Sequence, residues 1–198
     1  MFTGIVKGIG LIAHMEMRNS ILRYSIQFPE DLLGGLERGA SVSVDGVCQT
    51  VITIDQAKIW FEAIGETIER TTFKEMQIGK QVNLERAARF GDEIGGHLLS
   101  GHIYGSAPIT SIEHNIYKVS CPAEWMKYFF SKGYVALDGI SLTLVAVDKE
   151  KGFFTVHLIP ETLKRTTLGQ KKPGDSVNIE FDALTQAAVE TVFHILSR

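Results

Sequence analysis

Two short phrases carry most of the chain's candidate chemistry. Residues 44–51 read VDGVCQTV and residues 137–144 read LDGISLTL, so one copy offers the thiol of Cys48 where the other offers the hydroxyl of Ser141. Either group serves as a nucleophile or proton donor when its surroundings activate it. Alternate side chains of a strand share a face, which sets Cys48 beside Thr50 and Ser141 beside Thr143. A second pair of phrases, IGETIERTTF at 64–73 and IPETLKRTTL at 159–168, puts Glu66 with Thr67 and Glu161 with Thr162 where the chain turns after a strand. Two like polar constellations imply two sites for similar ligands. The unlike residues at equivalent places, Cys48 against Ser141 and Ile5 against His102, imply sites that have diverged. His102 adds an imidazole, which titrates near neutral pH and can shuttle protons.

Each of these residues also has a plainer reading. Cysteine is among the most buried residue types and often only fills a core. His102 beside glycines can be a half-exposed spacer. Asp182, just before a helical pattern, suits an N-cap. Glu66 and Glu161 suit the first turn of short helices, where the dipole favours acids. His97 and His102 in GGHLLSGH have no further carboxylate, His or Cys ligands nearby, so no metal site is expected. GxxxxGK[ST], HExxH and CxxC are absent from the sequence, and GIVKGIG is a weak dinucleotide signal because no helix follows it. Taken singly, none of these residues names an activity.

The elements that must position them form a duplication running the length of the 198 residues. TGIVKG at 3–8 returns as SGHIYG at 100–105, and VNLE at 82–85 as VNIE at 177–180. Each copy, roughly 90 residues, is large enough to fold as a small domain. The first offers IVKGIGLIAHM, ILRYSIQF, SVSVDGV, CQTVITI, KIWFEAI and QVNLERA; the second HIYGSAPITSI, YKVSC, YVALDGI, LTLVAVD, FFTVHLI and SVNIEF. About six short strands per copy, separated by Gly, Pro, Asp or Asn, indicate closed all-β barrels or sandwiches. Short helices are expected at 66–72 and 161–167, with Thr67 and Thr162 helping to cap them, and another at 122–131. Leu184, Ala188, Val192 and Ile195 or Leu196 recur at helical spacing, so 185–197 reads as an amphipathic helix that needs its own barrel or another chain to cover it. The formal net charge of −3 does not favour nucleic acid, and no apolar stretch is long enough to cross a bilayer. Two cysteines make no disulfide framework, and the start lacks the pattern of a signal peptide, which points to a reduced, cytoplasmic protein.

Together, MFTGIV, GVCQTV, VNLERAARFGDEIGGHLLSGHI, DGISLT, HLIPETLKRTTLG and NIEFD resemble the riboflavin synthase family, α-chain type, over essentially the whole chain. That resemblance implies an all-β fold of two tandem six-stranded Greek-key barrels (residues 1–96 and 97–184) with a C-terminal trimerisation helix (185–198). It implies dismutation of two 6,7-dimethyl-8-ribityllumazine molecules by four-carbon transfer, giving riboflavin and 5-amino-6-(D-ribitylamino)uracil, with no metal and no cofactor. The alternative within the fold is a non-catalytic lumazine- or flavin-binding protein. Two lumazines per site, a homotrimer and a lumazine synthase partner belong to the same implication, and the site lies between barrels of neighbouring chains. On this basis His102 and Ser141, with Thr143, form the polar centre of the C-terminal barrel; Cys48, with Ser41, Gln49 and Thr50, marks the N-terminal one; Asp182 completes the catalytic set. Phe2 lines the site. Substrate contacts are expected from Gly4, Ile5 and Val6; from Glu62, Ala63, Ile64, Gly65, Glu66 and Thr67; from Gly101, His102 and Ile103; from Leu142 next to Ser141; and from His157, Leu158, Ile159, Pro160, Glu161 and Thr162. Lys132 reaches the ligand from a partner chain. Three positions depart from the family pattern: Gln49 where leucine is expected, Asp45 where asparagine is usual, and Gly65 in place of a bulkier or charged residue.

Overall fold

The computed structural model describes residues 1–197; Arg198, the end of the expected trimerisation segment, lies outside them. Apolar alternation builds β1 (Gly8–Arg18), β2 (Ile21–Gln27), β3 (Ser41–Val44), β4 (Val47–Thr50), β5 (Thr53–Asp55), β6 (Lys58–Ile64) and β7 (Gln81–Arg86) in the first copy. The second copy supplies β8 (Gly105–Glu113), β9 (Ile116–Ser120), β10 (Tyr134–Leu137), β11 (Ile140–Asp148), β12 (Phe153–His157) and β13 (Ser176–Phe181). The second set closes as a barrel in the order β10-β11-β12-β9-β8-β13. The first runs β4-β3-β7-β1-β2-β6-β5, so its two ends are consecutive pieces of chain. Together β4 and β5 occupy the place of the single strand β11, and the Ile52 N–H donates to the Trp60 carbonyl at 2.9 Å across the gap. Each copy is thus a six-stranded barrel once β4 and β5 are counted as one strand. The pairings β2 with β6 and β9 with β12 step over the intervening hairpin, which makes the connection a Greek key. Each barrel has its own apolar interior, with Tyr24, Ile26, Ile59 and Phe61 in the first and Val119, Phe129, Leu144 and Phe154 in the second.

The stretches SVSVDGV and YVALDGI do not continue as strands. Asp45-Gly46 and Asp138-Gly139 are two-residue hairpin turns, with φ of 45° and 85° in the first and 46° and 79° in the second. Positive φ at both central residues is the I′ geometry whose twist suits a hairpin, and Asp-Gly is its sequence signal.

Short helices α1 (Gly65–Arg70) and α2 (Pro160–Arg165) follow β6 and β12 directly. Their N-cap positions fall on Ile64 and Ile159 with no side-chain cap, so Thr67 and Thr162 are not caps. They lie inside the helices, where their carbonyls accept from the hydroxyls of Thr71 and Thr166 at 2.6 and 2.7 Å. Residues 123–128 form a 3₁₀ helix rather than a longer helix. The last helix, α3 (Ala183–Leu196), starts two residues before the expected position, because Asp182 caps it by accepting from the N–H and hydroxyl of Thr185 at 2.9 and 2.6 Å. Glu190 fastens α3 to Lys127 at 2.9 Å and to the Tyr128 hydroxyl, and Val189 packs on the barrel. Leu184, Val192, Phe193, Ile195 and Leu196 remain exposed on it.

A reciprocal seam joins the barrels. Phe2 and Leu99 exchange both backbone hydrogen bonds, at 2.8 and 3.0 Å. The Asn83 amide donates to the Asp138 carbonyl at 3.0 Å, and that of Asn178 to the Asp45 carbonyl at 2.8 Å. Asn83 Oδ1 accepts from the Thr167 N–H, and Asn178 Oδ1 from the Thr72 N–H, each at 2.8 Å. Buried amides satisfied in matching pairs hold the two copies in one fixed arrangement.

Candidate functional site

The site is built by two segments that cross to the opposite barrel. Gly4 carries φ 75° and its carbonyl accepts from the Ser141 N–H at 2.9 Å; Gly101 carries φ 81° and its carbonyl accepts from the Cys48 N–H, also at 2.9 Å. A Cβ at Gly4 would lie 2.5 Å from that of Ser141, and one at Gly101 2.6 Å from that of Cys48. Only glycine fits such contact at positive φ. A buried glutamate pins each segment. Glu85 accepts from the N–H and hydroxyl of Thr3 at 2.7 Å each and from the Gly4 N–H at 3.1 Å. Glu180 does the same for Ser100 (2.6 and 2.8 Å) and Gly101 (3.1 Å). Burial raises both carboxyls' pKa, and these donors oppose the rise.

One pocket, of about 250 Å³, is lined by Gly4, Ile5, Val6, Ser141, Glu161 and Thr162 among others. The other, about 490 Å³, gathers Glu66, His102, Ile103, Glu180 and Gln186, with Gly101 backing onto Cys48. Each short helix contributes an ion pair at the rim, Glu66–Arg70 at 3.1 Å and Glu161–Arg165. A larger cleft of about 640 Å³ lies between β7 and the chain around Lys171, and none of the expected site residues lines it. Size alone does not make a site; convergent chemistry does.

The expected grouping of His102 with Ser141 is corrected by this crossing. His102 and Ser141 line different pockets, and Gly101, next to His102, bonds Cys48. The imidazole at Ser141 is His97, whose Nδ1 is 2.6 Å from Ser141 Oγ. His97 is buried, and its ring stacks on Tyr134 with centroids 5.1 Å apart and planes 18° apart. Its Nε2 is buried without a hydrogen-bond partner among the described residues. Burial lowers the imidazole pKa and the charge of Asp182 pulls it up, so the neutral ring is favoured near pH 7. A neutral imidazole against a hydroxyl can take a proton from it, or relay one. The signal that could have found His97 is the glycine before it: a Cβ at Gly96 would sit 2.7 Å from Ser141 Cβ, so Gly96 lets the loop fold onto Ser141.

The remaining expected residues divide by face. Thr50, Thr143, Glu62 and His157 are exposed on their strands, Ser41 pairs with Thr50 in register, and Ile64, Gly65, Ile159 and Pro160 form the strand-to-helix junctions. Lys132 is exposed in the turn before β10, at φ 71°. Phe2, Gln49, Ala63, Leu142 and Leu158 are buried, and none of them lines either pocket. The departure at Gln49 has a physical reason: its Oε1 accepts from the buried Tyr24 hydroxyl at 3.0 Å, and its amide donates to the Cys48 carbonyl at 2.9 Å. Gly65 opens α1 with free space where its side chain would be. Cys121 is buried, its thiol pushed up to about 12 by desolvation, which leaves Cys48 as the half-buried thiol.

The Lumazine binding domain family matches the chain twice, over residues 3–87 and 100–182. The riboflavin synthase of Chlamydia pneumoniae is 47% identical over 197 residues, which cover 100% of this chain and 98% of that one. That of Escherichia coli (strain K12) is 45% identical over 203 residues, covering 100% and 94%. Among solved structures, LumP complexed with riboflavin matches with a TM-score of 0.81 at 30% identity, covering 91% of this chain and 99% of that chain. LumP complexed with 6,7-dimethyl-8-(1'-D-ribityl) lumazine matches at 0.80 and 29%, with the same coverage.

Proposed function

The chain belongs to the riboflavin synthase family, and from that premise we propose that it converts two molecules of 6,7-dimethyl-8-ribityllumazine into riboflavin and 5-amino-6-(D-ribitylamino)uracil. One lumazine gives up a four-carbon unit and leaves as the pyrimidine; the other accepts the unit and becomes riboflavin. Two like molecules need two like cradles, and holding them in register supplies much of the barrier lowering. The crossing segments make such cradles, one around Ser141 and one around Cys48.

The observation that carries a catalytic reading is the Ser141–His97 contact. A ring methyl of the lumazine must lose a proton, and the resulting anion is delocalised over the ring. The neutral His97 imidazole, bonded to Ser141 behind the pocket that Ser141 lines, would take up or relay that proton. The exposed His102 gives the other pocket an imidazole, and the Cys48 thiol stands behind it against Gly101. Asp182 caps α3 and adds negative charge near His97. Both pockets open to solvent, and α3, which lines the pocket that holds His102, carries an uncovered apolar face. A homotrimer, in which a neighbour's barrel faces each pocket and Lys132 reaches across, accounts for both features. Two free thiols suit a cytoplasmic setting.

Ser141→Ala and His97→Gln are expected to lower turnover by on the order of a hundredfold or more while riboflavin binding, followed by fluorescence quenching, changes little. A lumazine- or flavin-binding protein without activity has no turnover to lose, so wild-type protein that binds lumazine and leaves it unchanged would select that reading.

A further inference from the structure

The two Asp-Gly turns bind both barrels at once. Asp45 and Asp138 are 5% and 0% exposed. Within its own barrel, Asp45 Oδ1 accepts from the Asn83 N–H and Asp138 Oδ1 from the Asn178 N–H, each at 2.7 Å. Across the seam, each aspartate's backbone carbonyl accepts from the other barrel's asparagine amide. Between them the turns touch: a Cβ at Gly46 would lie 2.7 Å from the Gly139 nitrogen. Cys48 and Ser141 each stand three residues beyond their aspartate, so the docking of the turns sets where both pocket strands begin.

The charges on the pair do not balance. Lys171 Nζ lies 3.1 Å from Asp138 Oδ2 and also donates to the Ser176 carbonyl at 2.7 Å. The place equivalent to Lys171 in the first copy is Met76, by the offset that aligns Thr72 with Thr167, so Asp45 has no such cation of its own. The other ionisable groups that bear on Asp45 are Lys80 and the Tyr24 phenol. Two buried carboxylates served by one close ammonium cannot both stay ionised cheaply. We propose that Asp45 and Asp138 are a positioning pair that docks the Cys48 strand onto the Ser141 strand, and that Asp45 carries a proton whose loss loosens the docking and weakens both pockets. Desolvation, with the Asp138 charge behind it, pushes Asp45 up to about 7, against the opposing pull of Lys171, the Asn83 N–H and Lys80.

The sign follows from that direction. Asp45 binds its proton more tightly in the folded chain than in the unfolded one, where 3.8 applies. Its contribution to stability is therefore full below the unfolded value and is lost as pH rises through about 7.

The test compares wild type with Asp45→Asn, which keeps an oxygen for the Asn83 N–H and cannot ionise. Urea midpoints are measured from about pH 5 to about pH 9. The wild-type midpoint should fall, relative to the variant's, as pH rises toward 7, and the difference should level off above it. Riboflavin affinity, followed by fluorescence quenching, should fall about fivefold or more over the same range in wild type and stay level in the variant. A difference in midpoints that does not vary with pH overturns the proton. A wild-type affinity that does not vary with pH overturns the positioning role. Should the variant fail to fold, the infrared carbonyl band of a protonated carboxyl in wild type decides, because its absence at about pH 6 contradicts a protonated Asp45. The affinity readout rests on the flavin-forming function proposed above. The urea and infrared readouts do not, so failure of that function and failure of the pair are distinguishable.

Discussion

Two histidines, five positions apart, end up in different pockets. His97 reaches Ser141 at 2.6 Å, while His102 follows Gly101 to the Cys48 side. If neutral His97 is the proton acceptor, activity should persist as pH falls through 6.5, the ordinary imidazole value, and drop only below it, because burial lowers this group's pKa. A pH–rate profile checks this, and an acid limb at or above 6.5 would remove His97 from the role. Gln49 makes a second residue-level case. It bonds the buried Tyr24 hydroxyl, so Gln49→Leu should cost about 1–3 kcal/mol by leaving that hydroxyl unpaired. Adding Tyr24→Phe should recover part of the loss, and urea denaturation of the four-member cycle measures the coupling. The sequence marked Cys48, Ser141 and His102 because the repeat sets unlike residues at equivalent places, and Asp182 through the family resemblance. It raised His97 only as a metal ligand, because His97 falls in the connection between the copies and has no partner in the repeat.

Among the elements, strands are legible from β-branched alternation, and their limits differ where Asp-Gly turns the chain inside SVSVDGV and YVALDGI. The I′ turn is a local signal, and giving it precedence over the apolar run on either side would have divided both phrases correctly. The 3₁₀ conformation of 123–128 was not legible, since composition does not separate it from an α-helix. α3 was legible from its spacing, while its start falls two residues before the expected one, at the Asp182 cap. Asp182→Ala should therefore destabilise the helix by about 1 kcal/mol through loss of the cap. Deleting residues 183–198 removes the exposed Leu184, Val192, Phe193, Ile195 and Leu196. Sedimentation should then find monomers with little activity; intact trimers would show that the barrels alone assemble.

At the scale of the molecule, the duplication was plain and its crossing was not. Sequence order assigns residues 97–103 to the second barrel and residues 1–6 to the first. Long-range bonds from Glu180 and Glu85, Cys48 and Ser141 instead place these segments astride the seam, and such contacts have no local signature. The crossing makes a specific prediction. Gly101→Ala should impair the Cys48 pocket and Gly4→Ala the Ser141 pocket, each by a few kcal/mol of strain and overlap, with one ligand site lost per chain on titration with riboflavin. Loss of both sites from either change would mean that the pockets are not separate. The central claim is that twin pockets bring two lumazines together and pass carbon between them. Purified protein given 6,7-dimethyl-8-ribityllumazine, with the products quantified over time, tests it most directly. The account predicts one riboflavin and one 5-amino-6-(D-ribitylamino)uracil for every two lumazines consumed; lumazine that binds and persists unchanged would contradict it.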